Sequence, residues 1–328
     1  MHGRVLITGF TGFVGSHMAD LLLEETDCEV YGALRWRSPK ENVQHILDHP
    51  RVHLVEMDLL DSPSVDSAIR TVQPDYVLHF AAQSSPQASF KVPRITLSTN
   101  IEGSVNLFEA IAHLAPSHTR TLVISSSEVY GNPLPEEVPI NEGNPIRAAN
   151  PYSISKVGED FMAQYYQKAY DLDMVITRMF SHEGSRRGLD FALSSFAYQI
   201  AQAEKKGKAG APHTVRVGNL HSVRTYIHIR DAIRAYVLAM DKGEKGAIYN
   251  IGGNSSYTVG QALDLMITRS KLTLSDFNIV VDPKLLRPTD ITLQIPDCSK
   301  FKKQTGWEPA SGLPEIVDDL LDWWRARV

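Results

Sequence analysis

Residues 5 to 22 constrain the fold more tightly than any other stretch of this chain. Val5-Leu6-Ile7 is a short apolar run that breaks into Thr8-Gly9-Phe10-Thr11-Gly12-Phe13-Val14-Gly15, and a helical pattern follows with Met18, Leu21 and Leu22 on one stripe. Strand, glycine-rich turn and helix together describe the first half of a βαβ unit. Glycine allows a tight turn and close backbone approach to a pyrophosphate, and the helix N-terminus offers free N–H groups to the anion. The spacing Gly-x-x-Gly-x-x-Gly differs from the commoner Gly-x-Gly-x-x-Gly, so the glycines alone also fit a purely structural turn.

Alternation continues along the chain. Val30 to Leu34 reads as a second strand and ends in Arg35-Trp36-Arg37-Ser38, with no acid where an NAD-binding unit offers one to the adenosine ribose. An arginine there suits a 2′-phosphate, which favours NADP; solvated loop cations are the plainer alternative. Val52-His53-Leu54-Val55 makes a third strand ending near Asp58, and Ser62-Pro63 is expected to cap the next helix. Tyr76 to Phe80 is a fourth strand running into Ala81-Ala82-Gln83-Ser84-Ser85, small residues that leave room for a flat ligand or simply pack. A long helix is expected from about Thr96 to His113, then a strand through Leu122-Val123-Ile124.

Beyond Met174-Val175-Ile176-Thr177 the alternation weakens. Phe191 to Lys206 reads as a helix, Lys205-Lys206-Gly207-Lys208 as a solvated basic loop, and Arg230 to Met240 as an amphipathic helix that rejoins the sheet, as does Ala247 to Ile251. Two more helices are expected in the tail. The reading is an α/β protein, a Rossmann-type doubly wound parallel sheet with a smaller, interleaved C-terminal substrate domain. The expected cofactor domain covers 1–180 plus about 221–251, and the expected substrate domain 181–220 and 252–328.

At 328 residues the chain can build about two domains. A net charge of -5 without a basic run argues against nucleic-acid binding, and no apolar stretch is long enough to span a bilayer. Cys28 and Cys298 form no metal-ligand spacing and are expected to be reduced, no metal is expected, and the early strand at Val5 leaves no expected signal peptide. From these the expected compartment is the cytoplasm.

The chemistry gathers between Ile124 and Lys156. The strand ends in Ser125-Ser126-Ser127-Glu128, and Tyr152 and Lys156 lie four residues apart, neighbours on one helix face. An ammonium beside a phenol favours phenolate, so Lys156 is expected to lower the Tyr152 pKa toward a value useful for taking a proton from a sugar hydroxyl. Downstream of a nucleotide turn, this set describes hydride transfer to or from a carbinol. Glu128 adds a carboxylate that could remove a proton acidified by a neighbouring ketone; an ordinary loop acid is the alternative.

These residues resemble the extended short-chain dehydrogenase/reductases over essentially the whole chain, through Thr8-Gly9 to Gly15, Ala81-Ala82-Gln83, and Tyr152 with Lys156. More specifically the chain is similar to the nucleotide-sugar 4,6-dehydratases acting on GDP-mannose, through Arg35-Trp36-Arg37-Ser38, Ser126-Ser127-Glu128, Arg186-Arg187-Gly188, Val217-Gly218-Asn219-Leu220 with Arg224, and Arg287-Pro288-Thr289-Asp290. The resemblance implies a lyase with Tyr152 as base, Lys156 as its partner, Ser126 on the sugar's C4 oxygen and Glu128 removing the C5 proton. It implies NADP on Gly9, Thr11, Gly12, Phe13, Val14, Gly15, Arg35, Asp58, Leu59, Ala81, Ala82 and Gln83, with Tyr152 and Lys156. It assigns the GDP-sugar to Ser84, Ser127, Ser181, Arg187, Val217, Asn219, Arg224, Arg287 and Asp290, and implies a homodimer or homotetramer.

The chain departs from that family pattern at Ser126 (usually threonine), Ser181 (usually asparagine) and Asp290 (usually glutamate). With Trp36 and Ser181 leaving space, a GDP-manno-heptose is an alternative to GDP-mannose. A 4-keto-6-deoxy sugar reductase consuming NADPH, a relative that shares Tyr152, Lys156 and the Ser126-Ser127-Glu128 run, and a non-catalytic NADP-binding sensor are the alternative functions.

Overall fold

The computed structural model describes residues 1–208 and 210–328. A seven-stranded, wholly parallel sheet forms its centre. Its first six strands in chain order are β1 (Arg4–Thr8), β2 (Glu29–Leu34), β3 (Val52–Glu56), β4 (Tyr76–His79), β5 (Arg120–Ser126) and β6 (Asp173–Met179). In space the order is Ile248–Ile251, β6, β5, β4, β1, β2, β3. The order reverses between β1 and β4, so the crevice at the carboxyl ends of these two strands is where a doubly wound sheet binds ligands.

The strands are nearly continuous apolar runs because helices cover both faces. One face packs under the helices Phe13–Glu25 and Ile229–Lys242, the other under Ser62–Val72, Gly103–Leu114 and Pro151–Tyr170. Met18 and Leu22 on the first of these helices are fully buried, worth about 1.5–3 kcal/mol each. That helix ends where the Thr26 N–H and hydroxyl both turn back to the Leu22 carbonyl.

A second apolar core lies beside the sheet. It is built from the helices Ala192–Lys206, Val259–Thr268 and Leu313–Arg325 and the strand pair His213–Val217 and Phe277–Val281. The segment carrying Phe301 and Trp307 packs instead into the sheet's own core. Among the described residues no helix is long and apolar enough to cross a membrane, and no cluster of candidate metal ligands occurs.

The parallel doubly wound sheet is as the sequence pattern predicts, and the returning strand Ile248–Ile251 pairs with β6 as expected. Four local expectations differ. Asp61, not Ser62, is the N-cap of the helix at 62–72, with Pro63 in its first turn. The helix expected at 96–113 starts at Pro93 and runs to Leu114 through a π-helical turn, Ser98–Glu102. After Ile251 there are three α-helices, not two: Val259–Thr268, Ser299–Thr305 and Leu313–Arg325. Lys205 and Lys206 close the helix Ala192–Lys206 rather than forming a loop, and Gly207 is its C-cap.

Candidate active site

One cavity of about 790 Å³ runs along the carboxyl ends of the sheet strands and under the second core. Every residue named above as catalytic, cofactor-binding or substrate-binding lines it, except Val217. The Val217 side chain is fully buried in the second core, and its carbonyl accepts a hydrogen bond from the Asp282 N–H at 2.9 Å. Its neighbour Gly218 faces the cavity instead. The expectation missed by one residue, which in a strand reverses the side.

The floor of one half is the turn after β1. Gly9 adopts φ +68°, and a Cβ on Gly15 would lie 2.3 Å from the Gly9 carbonyl oxygen, so neither position accepts a side chain. Gly12 is the N-cap of the following helix and has no side-chain cap, so the first-turn N–H groups stay available to an anion. Arg35 and Ser38 lie at the end of β2, Asp58 and Leu59 after β3, and Ala81 to Ser84 after β4. The Gln83 backbone is clamped by Asn100, whose side chain accepts from Gln83 N at 2.7 Å and donates to Gln83 O at 3.0 Å. Asn100 also donates to Ser155 Oγ at 2.8 Å, and it sits in the π-helical turn, which carries it into this junction.

The residues of the cavity fit a polar, anionic cofactor. Gln83 Oε1 and His182 Nε2 are buried without a hydrogen-bond partner among the described residues, and both residues line the cavity, as do Glu183 and Arg187, whose Oε2 and Nε face each other as an ion pair at 3.7 Å. Buried polar groups without partners cost stability, which a ligand bearing phosphates, ribose hydroxyls and a carboxamide would offset.

The catalytic candidates converge in the middle. β5 carries Ser126 to the cavity, and its hydroxyl accepts from the Glu128 N–H at 3.2 Å as the chain turns into the short helix Ser127–Tyr130. The helix Pro151–Tyr170 begins at Asn150, with Pro151 in the first turn, and so presents Tyr152 and Lys156 on the cavity side. Lys156 Nζ donates to the Ile124 carbonyl at 2.7 Å and to Glu159 Oε2 at 2.6 Å. Glu128 Oε2 accepts from Asn150 Nδ2 at 2.8 Å, and Glu128 Oε1 lies 3.7 Å from Arg287 Nη1.

The electrostatics correct one expectation. Burial pushes the Tyr152 phenol above its ordinary value, outweighing the downward pull of Lys156; Glu128 and Glu159 push it further up, and the Ser126 hydroxyl pulls it down. Lys156 is held up because Glu159 and Tyr152 outweigh its loss of hydration. Burial raises Glu159 and Glu183 to about 7 and lowers His182 to about 3. His182 stacks on Phe13 with ring centroids 5.7 Å apart, and the Arg187 guanidinium lies 3.4 Å from the Phe191 ring centroid.

The roof comes from the second core. Asp290 Oδ2 accepts from Asn219 Nδ2 at 2.6 Å and from Ser222 Oγ at 3.1 Å. Arg224 is tied by Nη1 to the Val223 carbonyl at 2.9 Å and by Nη2 to that of Ile291. Asn150, Glu159, Asn100 and Ser222 were not singled out from the sequence. The Asn-Pro start of the helix and the i, i+3 spacing of Lys156 and Glu159 were the available signals; Asn100 and Ser222 had none.

The chain has relatives among known proteins. The sequence profile of the family described as GDP-mannose 4,6 dehydratase matches residues 6–320. The chain is 30% identical to GDP-mannose 4,6 dehydratase 1 of Arabidopsis thaliana over 97% of this chain and 88% of that protein. It is 26% identical to the GDP-6-deoxy-D-mannose reductase of Pseudomonas aeruginosa, covering 100% and 99% of the two chains. Among solved structures it is similar to the dTDP-glucose 4,6-dehydratase of Bacillus anthracis in complex with NAD, with a TM-score of 0.82, 25% identity and coverage of 99% and 97%.

Proposed function

The chain belongs to the GDP-mannose 4,6-dehydratase family and is an enzyme of the dehydratase type, and from that premise we propose that it converts GDP-mannose, or GDP-manno-heptose, to the GDP-4-keto-6-deoxy sugar. The observation that carries this reading is the Glu128 carboxylate on the same cavity as Ser126, Tyr152 and Lys156. A simple alcohol dehydrogenase needs only the last three. Dehydration across C5–C6 also needs a base for the C5 proton.

In this reading Ser126 holds the sugar's C4 oxygen and Tyr152 takes its proton. Bound NADP supplies the hydride acceptor for C4 and the hydride donor for C6, so the overall reaction is redox-neutral. The C4 ketone acidifies the C5 hydrogen, Glu128 removes it, and the carboxylic acid so formed can protonate the hydroxyl leaving C6; C5 is then reprotonated from water as C6 accepts the hydride, and Tyr152 releases its proton to water, so the net change is the loss of one water. Arg187, Arg224 and Arg287 would hold the nucleotide diphosphate, and the Asn219–Ser222–Asp290 cluster a ribose hydroxyl. The 1–180 and 221–251 segments would then hold the cofactor, and the second core the GDP-sugar.

A bound nicotinamide cofactor is supported by the solved relative with NAD. The choice of NADP rests on Arg35 and Ser38 at the end of β2 and on the absence of an acid between Arg35 and Ser38. Association as a homodimer or homotetramer is supported by Ile154, Phe161 and Tyr165, each at least half exposed and at helical spacing along one side of the helix Pro151–Tyr170. Free Cys28 and Cys298 suit a reducing compartment such as the cytoplasm.

Incubation of the purified protein with GDP-mannose and GDP-manno-heptose, without added reductant, tests the function by mass spectrometry. A product lighter by one water supports it. No product in that assay, with turnover once a GDP-4-keto-6-deoxy sugar and NADPH are supplied, would instead establish the reductase reading that the Pseudomonas relative favours.

A further inference from the structure

We infer that Asn150 is a positioning residue for the base Glu128, an inference that rests on the dehydratase reading above. Asn150 is only 4% exposed and does two things with one amide. Its Oδ1 accepts from the Ser153 N–H at 2.8 Å, capping the helix that carries Tyr152 and Lys156. Its Nδ2 donates to Glu128 Oε2 at 2.8 Å. The two catalytic elements, the turn after β5 and the start of the helix, are thereby locked to each other through a single planar group.

The lock decides which oxygen of Glu128 reacts. Oε2 is engaged by the amide, so Oε1 is the atom left to take the C5 proton. Oε1 lies 3.7 Å from Arg287 Nη1, too far for a hydrogen bond but close enough to be held toward the cavity. Serine or aspartate at position 150 would still cap the helix, since both offer a side-chain acceptor. Serine carries its one O–H a bond nearer the backbone than the Asn150 Nδ2 and so draws the donor back from Glu128; aspartate offers no donor and would set a second carboxylate against the first.

The test is a comparison of Asn150→Ser and Asn150→Asp with the unaltered enzyme in single turnovers with GDP-mannose. Two signals separate the steps: absorbance at 340 nm reports hydride leaving C4, and solvent deuterium in the product reports proton exchange at C5. In both variants the 340 nm signal should rise at the normal rate and then accumulate, because the following C5 step is slowed. Turnover should fall about 10- to 100-fold with KM little changed, and further in the aspartate variant than in the serine variant. The melting midpoint of the serine variant should stay near that of the unaltered enzyme, because the cap persists without a second buried charge.

Full turnover in Asn150→Ser, or equal slowing of the C4 and C5 steps, would overturn the assignment while leaving the dehydratase reading intact. Should Asn150→Ser fail to fold, Asn150→Asp carries the same test. Failure of the unaltered enzyme to form a keto sugar from any GDP-sugar would overturn both.

Discussion

Lys156 Nζ lies 2.6 Å from Glu159 Oε2, and the other oxygen of Glu159 lies 3.8 Å from His79 Nε2, with all three side chains buried. The ammonium that serves Tyr152 is therefore shared with a carboxylate one turn along the same helix. Glu159 holds Lys156 protonated and at the same time pushes the Tyr152 phenol upward. The pair tunes the phenol from behind.

Replacing Glu159 with Gln removes that opposing charge while keeping a hydrogen-bond acceptor for Lys156. The Tyr152 pKa should fall, so the acidic limb of the kcat/KM profile should move to lower pH. The buried ammonium loses its counter-charge, so the variant should also be less stable by about 1–3 kcal/mol. A pH–rate profile that superimposes on that of the unaltered enzyme would exclude the coupling.

Gly15→Ala tests the cofactor cradle. The added Cβ would sit 2.3 Å from the Gly9 oxygen and 2.9 Å from the Phe10 Cα, both backbone atoms that cannot step aside. The turn must shift, and NADP affinity should drop by at least about tenfold, which corresponds to about 1.4 kcal/mol. Fluorescence titration with NADPH measures it; an unchanged Kd would remove the turn from the cofactor site.

Arg35→Ala addresses cofactor choice. A charge-assisted contact to the 2′-phosphate is worth about 1.5–3 kcal/mol, so NADP should bind about 10- to 100-fold more weakly while NAD binding stays the same. Equal weakening of both cofactors, or an original preference for NAD, would count against the NADP assignment.

Stability should depend on pH in two stages. Loss of hydration lowers His17 to about 4 and His79 and His182 to about 3, all from 6.5. The unfolded chain binds these protons below 6.5 and the folded chain refuses them, so their contribution is lost as pH falls from 6.5 toward 3. Glu159 and Glu183 act in the opposite direction. Raised from 4.5 to about 7, they contribute stability that is lost as pH rises through that window. From pH 6.5 to 4.5 the two glutamates offset two of the three histidines, and below 4.5 the histidines act unopposed. Urea midpoints should therefore fall gently from pH 6.5 to 4.5 and steeply below; a flat profile down to pH 4 would mean that the histidines are not held neutral.

What the sequence determined is local and periodic. The apolar run, glycine turn and helix at 5–22 set the nucleotide half, because backbone conformation and side-chain period act over a few residues. The same holds for Tyr152 and Lys156, whose spacing puts them on one face of any helix that contains them. Tertiary structure alone decided the rest. Asn150 meets Glu128 across 22 residues, His79 meets Glu159 across the sheet–helix interface, and Asn100 reaches Gln83 and Ser155 through a π-helical turn that no local propensity announces. Val217 turned inward because strand parity is set by which core the strand joins. The Tyr152 phenol went up rather than down for a related reason: the pull of a neighbouring charge can be read along a helix, but the loss of water around a side chain depends on everything packed over it.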